Sequence, residues 1–386
     1  SGSSMRLDKP PDIEHQPERE RYRRPPPVGS GHPDWTVLIC PDKFKGTLTA
    51  EEAALAIERG VKSVWPHCTT RLVPLADGGD GTLDALLANG GTRHEMLVRG
   101  PSGERHLAAW GRLDDGTAVI EMAQASGLAI VGAENNDLLT ATTWGTGELI
   151  RSALEAGCRK LIIGLGGSAT NDGGIGAMAA LGARFLDVDG TELEPVAASL
   201  ERIASIDLKG AVDVAGREFR MASDVDNRLC GKEGATFTFG PQKGGGWRLL
   251  RRLEKGMRNY ARVLEQTFGW DVAMQHGAGA AGGLGAAILG FLKGEYRPGA
   301  VLVMDAAGID LVLRKTDLIL TGEGRVDTTS VHGKVLQSLA FRAPGAAPIG
   351  VVCGSRSLSR RDWELLGDWG VVFVAAASLG DLDPLK

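Results

Sequence analysis

Cysteine is sparse in this chain and does not pair by spacing. Its five copies (Cys40, Cys68, Cys158, Cys230 and Cys353) are scattered, odd in number and without a C-x-x-C repeat. That excludes a disulfide framework and a zinc ribbon, and it fits a reducing cytoplasm. Seven histidines include no H-E-x-x-H pair, which argues against a histidine-ligated transition metal. No apolar run approaches the roughly 20 residues that span a bilayer, so no membrane association is expected. The polar, proline-rich N-terminus carries no secretory pattern. A formal net charge of −5 argues against a general nucleic-acid binder. The G-x-x-x-x-G-K-[ST] phosphate loop is missing too, because Cys230-Gly231-Lys232 is followed by Glu233. The H-R-D and D-F-G signatures of protein kinases are also lacking, and there is no internal repeat.

Glycine, by contrast, is abundant. The 55 glycines in 386 residues are about twice average usage, with neither a G-X-Y period nor a low-complexity tract. They gather in turns. Residues 160–176 read KLIIGLGGSATNDGGIG, an apolar strand that runs into a glycine-rich acidic turn and then a helical pattern. Such a turn brings bare backbone amides up to an anionic ligand, and Ser168, Asn171 and Asp172 add side chains suited to a polyol or a hydrated metal. A tight turn whose glycines serve only their dihedrals is the plainer reading. CPDKFKG (40–46), PLADGGDGT (74–82), SDVDNRLCG (223–231) and TGEGRVD (321–327) repeat the theme, and HGAGAAGGLG (276–285) does so without charge. Six such segments in one chain imply many backbone approaches to a shared, highly charged ligand. Residues 164–169 and 277–282 also match G-x-G-x-x-G/A. The first follows a strand and has Asp187 or Asp189 downstream, so a nicotinamide-dependent dehydrogenase is one alternative.

Length points to two domains. Residues 1–4 resemble an expression scar, and the Pro-, Arg- and Glu-rich stretch up to residue 34 is expected to be disordered. The pattern beyond predicts strands at 35–40, 72–75, 161–165, 318–321 and 349–353, and a hairpin from 106–113 and 117–122. Helices are expected at 49–63 with Thr49 as N-cap, 84–89, 146–156 with Thr146 as N-cap, 175–181 and 247–268. Alternating strands and helices make this an α/β chain with parallel sheets.

Nine segments in order resemble the bacterial glycerate kinases of the type I family. They are PDKFKGTLTAEEAALAI, PLADGGDGT, VIEMAQASGL, ATTWGTGELI, GLGGSATNDGG, SDVDN, FGPQKG, GAGAAGGLG and TGEGRVD, and the likeness runs from about Val37 to about Gly354. The resemblance implies phosphorylation of D-glycerate by ATP with Mg2+, typically at the 2-hydroxyl. It also implies two α/β domains with a cleft between them. One is Rossmann-like and discontinuous (35–75 plus 290–386); the other is inserted (76–289). A monomer or homodimer in the cytoplasm is expected.

With that resemblance, the residues divide by what phosphoryl transfer needs, namely in-line positioning and neutralised charge. Lys45 lies between a strand and a helix N-terminus, where its ammonium can meet phosphate oxygens, and Asp42 beside it can position Lys45 or bind metal. Asp77 and Asp80 offer hard oxygen ligands for Mg2+, although a β-turn and a helix cap also explain them. Asp224 is the expected general base for the glycerate hydroxyl, with Asn227 either a contact or an Asx brace. Gly166, Gly167, Ser168, Asn171 and Asp172 are expected against substrate or phosphate. Gly282 and Gly283 serve either ligand approach or helix packing. Glu323 and Asp327 can hold metal or substrate. Arg325, Lys45 and Lys243 share the task of gripping the carboxylate and the phosphates.

The chain departs from the family pattern at Arg228, where proline is usual, and at Thr328 and Thr329, where glutamine is common. It also stops before an expected final helix. Two rivals remain beside the dehydrogenase: a kinase for another small hydroxy acid, and a sugar-acid-binding regulator without turnover.

Overall fold

Thr36–Ile39 (β1) alternates its side chains between two apolar layers, and that alternation sets the architecture. Val37 and Ile39 join Ala54, Val61 and Leu320 on one face, whereas Leu38 and Cys40 join Ile319, Val351 and Leu339 on the other. A strand buried on both faces belongs to a covered parallel sheet. The computed structural model describes residues 34–332, 334–343 and 347–376; the segment expected to be disordered lies outside them except for Asp34.

In chain order the strands are β1, Thr69–Leu72 (β2), Thr92–Arg99 (β3), Arg105–Arg112 (β4), Ala118–Glu121 (β5), Lys160–Gly164 (β6), Arg184–Leu186 (β7), Ser205–Asp207 (β8), Glu218–Ser223 (β9), Glu295–Pro298 (β10), Leu318–Asp327 (β11), Ile349–Ser357 (β12) and Val371–Ala376 (β13). Among the described residues they form two main sheets and a β7–β8 ribbon. The first sheet, ordered β2-β1-β11-β12-β13, is parallel throughout. The second, ordered β10-β9-β6-β5-β4-β3, is parallel from β10 to β5 and antiparallel from β5 to β3. Both are α/β, so the fold class read from the sequence holds. Sheet membership changes after β2 and again between β10 and β11, so residues 295–298 pair with the middle strands although they lie beyond position 290.

One of the hydrophobic clusters takes residues from both sheets. Leu83 and Leu86, from the helix Thr82–Leu87, pack with Ala109 and Val119 of the second sheet and with Leu38 and Ile319 of the first. No helix of the described residues is long and apolar enough to cross a membrane.

Local signals placed most elements well. Ala50–Val64 starts at Thr49 in a full capping box with Glu52, and Trp247–Phe268 has the expected ends. Three expectations are corrected. β2 ends at Leu72 rather than spanning 72–75: the Val73 and Leu75 amides still bond the Ile39 and Pro41 carbonyls, but Pro74 between them has no N–H to continue the ladder. The helix expected at 146–156 runs Trp144–Glu155, and Thr146 is not its cap: it lies buried in the first turn with its hydroxyl bonded to Ser126 Oγ at 2.9 Å. TGEGRVD is not a turn but the second half of β11. Its glycines admit close neighbours: a Cβ on Gly322 would lie 2.3 Å from the Val352 carbonyl oxygen.

Candidate active site

In parallel sheets ligands gather beyond the carboxyl ends of the strands, at the point where the strand order reverses. In the first sheet that point lies between β1 and β11. β1 runs into Asp42, Lys43 and Lys45, β2 leads to Asp77–Asp80, and Glu323 projects from β11. From the second sheet, β9 delivers Asp224.

Glycines let these ends meet backbone to backbone. A Cβ on Gly78, whose φ is +90°, would sit 2.8 Å from the Ala222 oxygen, and one on Gly164 would sit 2.5 Å from the Gly78 oxygen. On Gly166 it would meet the Gly79 Cα at 2.5 Å, and on Gly299 the Asp77 oxygen at 1.6 Å. The Asp77 loop is therefore wedged between β6, β9 and the helix Gly299–Ala306. Side chains are missing there because another backbone occupies their space.

The result is an excess of carboxylates. Asp42 is pushed up to about 7, first by burial and then by the charges of Asp77 and Glu323, with the Lys43 amide and ammonium opposing. Glu323 also rises to about 7 through burial, aided by Asp327 and Asp77 and opposed by Ser330 and Lys334. Asp224 stands exposed at the rim, yet partial desolvation and the Asp77 charge raise it against Lys334 and Lys43. The charge of Asp77 thus bears on Asp42, Asp224 and Glu323, acids drawn from both sheets. Among the described residues no three His, Cys, Asp or Glu side chains are close enough to make a metal cage.

The cations facing these acids are Lys43 and Lys334, and sequence reasoning named neither. Lys43 donates to the Asp80 carbonyl, with Asp80 Oδ2 at 3.9 Å; Lys334 precedes the helix Val335–Arg342. Lys43 shares a motif with Lys45, and only the path of the loop separates them. Lys45 itself is exposed. Arg325 is exposed and lies 3.3 Å from Asp327, which also accepts from Thr329 and is held below the usual carboxylate range. Asp80 is exposed as well.

A second polar group is closed to solvent. Asp172, at 0% exposure, receives the Thr143 amide and hydroxyl and the Gly176 amide on Oδ2, and the Gly174 amide on Oδ1. Burial raises its carboxyl against those four donors. Asn171 donates to Thr236 Oγ1 while its own Oδ1 has no partner. Lys243, 2% exposed, donates to Ser168 Oγ at 2.7 Å and to the Thr170 carbonyl at 2.8 Å, and burial lowers it to about 7. Gly282 and Gly283 pack on this turn, with the Gly173 amide bonded to the Gly282 carbonyl at 2.9 Å. Gly167, at φ +76°, turns the chain over Ala123. Asn227 braces the loop after Asp224 by donating to the Glu233 carbonyl at 2.7 Å. The structure thus brings together Asp42, Asp77, Asp224 and Glu323, and separately Ser168, Asn171, Asp172 and Lys243. Thr328 and Thr329, the departures on β11, both have partners: Thr328 donates to Asp362 Oδ2 and Thr329 to Asp327.

These shifts predict how stability depends on pH. Asp42, Glu323 and the buried Glu121 (also raised to about 7) titrate at about 4 when unfolded. Their contribution is full below that value and is lost as pH rises through about 7. Lys243 works in another window: its contribution is full above the ordinary lysine range and declines as pH falls towards 7. The ligand-free protein is therefore expected to melt higher at about pH 5.5 than at about pH 7.5. A thermal scan across that range checks it, and a profile falling towards acid would contradict the burial of these carboxyls.

Residues 37–375 match the model of the glycerate kinase family. The chain is 45% identical over 328 residues to a glycerate kinase of Bacillus subtilis (strain 168), covering 84% of this chain and 85% of that protein. It is 42% identical over 355 residues to a glycerate 2-kinase of Escherichia coli (strain K12), covering 90% and 92%. A crystal structure of a candidate glycerate kinase 2 from Salmonella typhimurium LT2 superposes with a TM-score of 0.81 at 40% identity, over 91% of this chain and 93% of that one.

Proposed function

The chain belongs to the glycerate kinase family, and on that premise we propose that it transfers the γ-phosphoryl group of ATP to the 2-hydroxyl of D-glycerate. The observation that carries this reading is the group of four carboxylates delivered from both sheets to one place, with lysines at its edge. The Escherichia coli relative, a glycerate 2-kinase by name, supports the 2-position. In this reading the site lies in a cleft between the unit expected at 35–75 plus 290–386 and the inserted unit expected at 76–289, with β10 (295–298) counted to the inserted unit because it pairs with β9.

Asp224 is the proposed general base. Its raised carboxyl is a stronger base than an ordinary surface aspartate, and its exposed edge is open to a hydroxyl. It takes the 2-hydroxyl proton while that oxygen forms its bond to the γ-phosphorus and the bond to the ADP oxygen breaks. Lys45, with Lys43 and Lys334, supplies positive charge to the phosphate oxygens. Arg325 shares a face of β11 with Glu323 and is assigned to the glycerate carboxylate. Gly166, Gly167 and Ser168 form the wall beside the acids, with Asn171, Asp172 and Lys243 bracing it from inside.

The donor set fits Mg2+. Hard carboxylate oxygens in like-charged company favour a divalent cation, and the lack of a three-residue cage among the described residues suits an ion that keeps waters and arrives on phosphates. Asp77 with Asp42 or Glu323 would hold it, the remaining acid, Asp80 and Asp327 acting through water. When bound, it neutralises charge on the β- and γ-phosphates.

Incubation with ATP, Mg2+ and D-glycerate, read by phosphorus NMR, tests the proposal. A 2-phosphoglycerate signal is expected. A 3-phosphoglycerate signal would overturn the position, and no phosphorylated glycerate from folded protein would overturn the substrate.

A further inference from the structure

Glu121 closes β5 in the second sheet, is 1% exposed, and points its carboxylate at a loop that belongs to the first. Its two oxygens accept from the Gly81 amide at 3.2 Å and the Leu83 amide at 3.0 Å, partners 40 and 38 residues earlier in the chain. Those amides open the helix Thr82–Leu87, whose own N-cap is Gly81, with φ at +94° and no side chain to cap with. A distant carboxylate therefore does the work usually given to a local Ser or Asp. It does so at a cost, since burial and the charges of Asp80 and Asp84 all oppose its ionisation. An apolar residue would suit this core position better if packing were the only demand.

The clasp lies one residue beyond the Asp77–Asp80 loop, which otherwise meets the second sheet through backbone packing on β6 and β9, and there Glu121 is the side chain that bonds across. Asp77 Oδ1 accepts the Gly79 amide, and Lys43 reaches the Asp80 carbonyl from solvent. We propose that Glu121 is a positioning residue, fastening the Asp77–Asp80 loop to the second sheet so that Asp77 faces Asp42, Asp224 and Glu323. Asp77 touches each of those three acids electrostatically, and the arm that sets its reach is Glu121. The catalytic consequence rests on the kinase reading above; the clasp itself does not.

Glu121→Gln keeps the shape but sets an amide donor against one of the two backbone donors. Hydrogen exchange by mass spectrometry should show faster exchange across residues 77–87, with β6 and β9 unchanged. Catalysis should drop about tenfold or more, through a higher Mg2+ concentration for half-activation with the KM for D-glycerate unmoved. In combination with Asp77→Asn, the loss should be no greater than that of Asp77→Asn alone, because Glu121 acts through that loop. Unchanged exchange in 77–87 overturns the proposal, as do additive losses accompanied by weaker protection over the whole chain. Should Glu121→Gln not fold, the wild type decides: the Gly81 and Leu83 amides must be protected, and fast exchange there overturns the clasp. These exchange measurements stand even if glycerate proves not to be the substrate.

Discussion

Asp224→Asn is expected to lower turnover by about 10²- to 10⁴-fold while ATP affinity stays within about twofold. The size follows from what the carboxylate is proposed to do. An alcohol is a poor nucleophile until its proton has somewhere to go, and the amide of asparagine cannot accept it. The substitution keeps the shape of the side chain and removes one negative charge from an acid-rich site, so binding of an anionic nucleotide should not suffer. The pH profile supplies a second reading. Burial and Asp77 raise the Asp224 carboxyl, so wild-type turnover should decline on the acid side at a higher pH than an ordinary aspartate would give. In the variant the part of that limb owed to Asp224 should vanish, leaving any part owed to Asp42 and Glu323. Near-normal turnover by Asp224→Asn, measured in steady state with saturating ATP, would refute the base assignment.

The second large effect is on stability. Asp172→Ala is expected to destabilise the fold by at least about 3 kcal/mol, read as a shift in the urea midpoint. Four donors converge on this carboxylate, three of them backbone amides that open two helices, Trp144–Glu155 and Ile175–Ala180. With 0% exposure, no water replaces the lost acceptor without rearrangement, and every orphaned amide keeps its desolvation penalty. Asp172→Asn retains one oxygen and should recover part of the loss. A variant as stable as wild type would mean that the joint is not closed to solvent.

What could be read from the linear chain follows the range of the forces involved. Capping boxes, amphipathic periods and glycine stops act within a few residues, and the helices Ala50–Val64 and Trp247–Phe268 were legible for that reason. Pro74 was visible too, but its effect on β2 depends on a partner strand. TGEGRVD misled because glycine marks both a turn and a close neighbour, and only β12 beside β11 tells which. Lys45 drew attention within PDKFKG, yet Lys43 is the lysine that reaches Asp80. Glu121 has only apolar neighbours beside it in VIEMAQASGL. Its partners arrive from a loop that follows a strand of the other sheet.

The sequence by itself determined the α/β alternation, the acidic glycine turns and the order of motifs that carries the family resemblance, because each is written in residues close along the chain. Tertiary structure alone decided which of those turns share a site. β1 and β11 lie side by side although nearly the whole folded chain separates them: Thr321 Oγ1 bonds the Cys40 carbonyl across 281 residues. That adjacency brings Glu323 to Asp42, β2 beside β1 adds Asp77, and the meeting of the two sheets adds Asp224. Coulomb repulsion and desolvation act through space, so the raised carboxyls at this site exist only once the strands have chosen their neighbours.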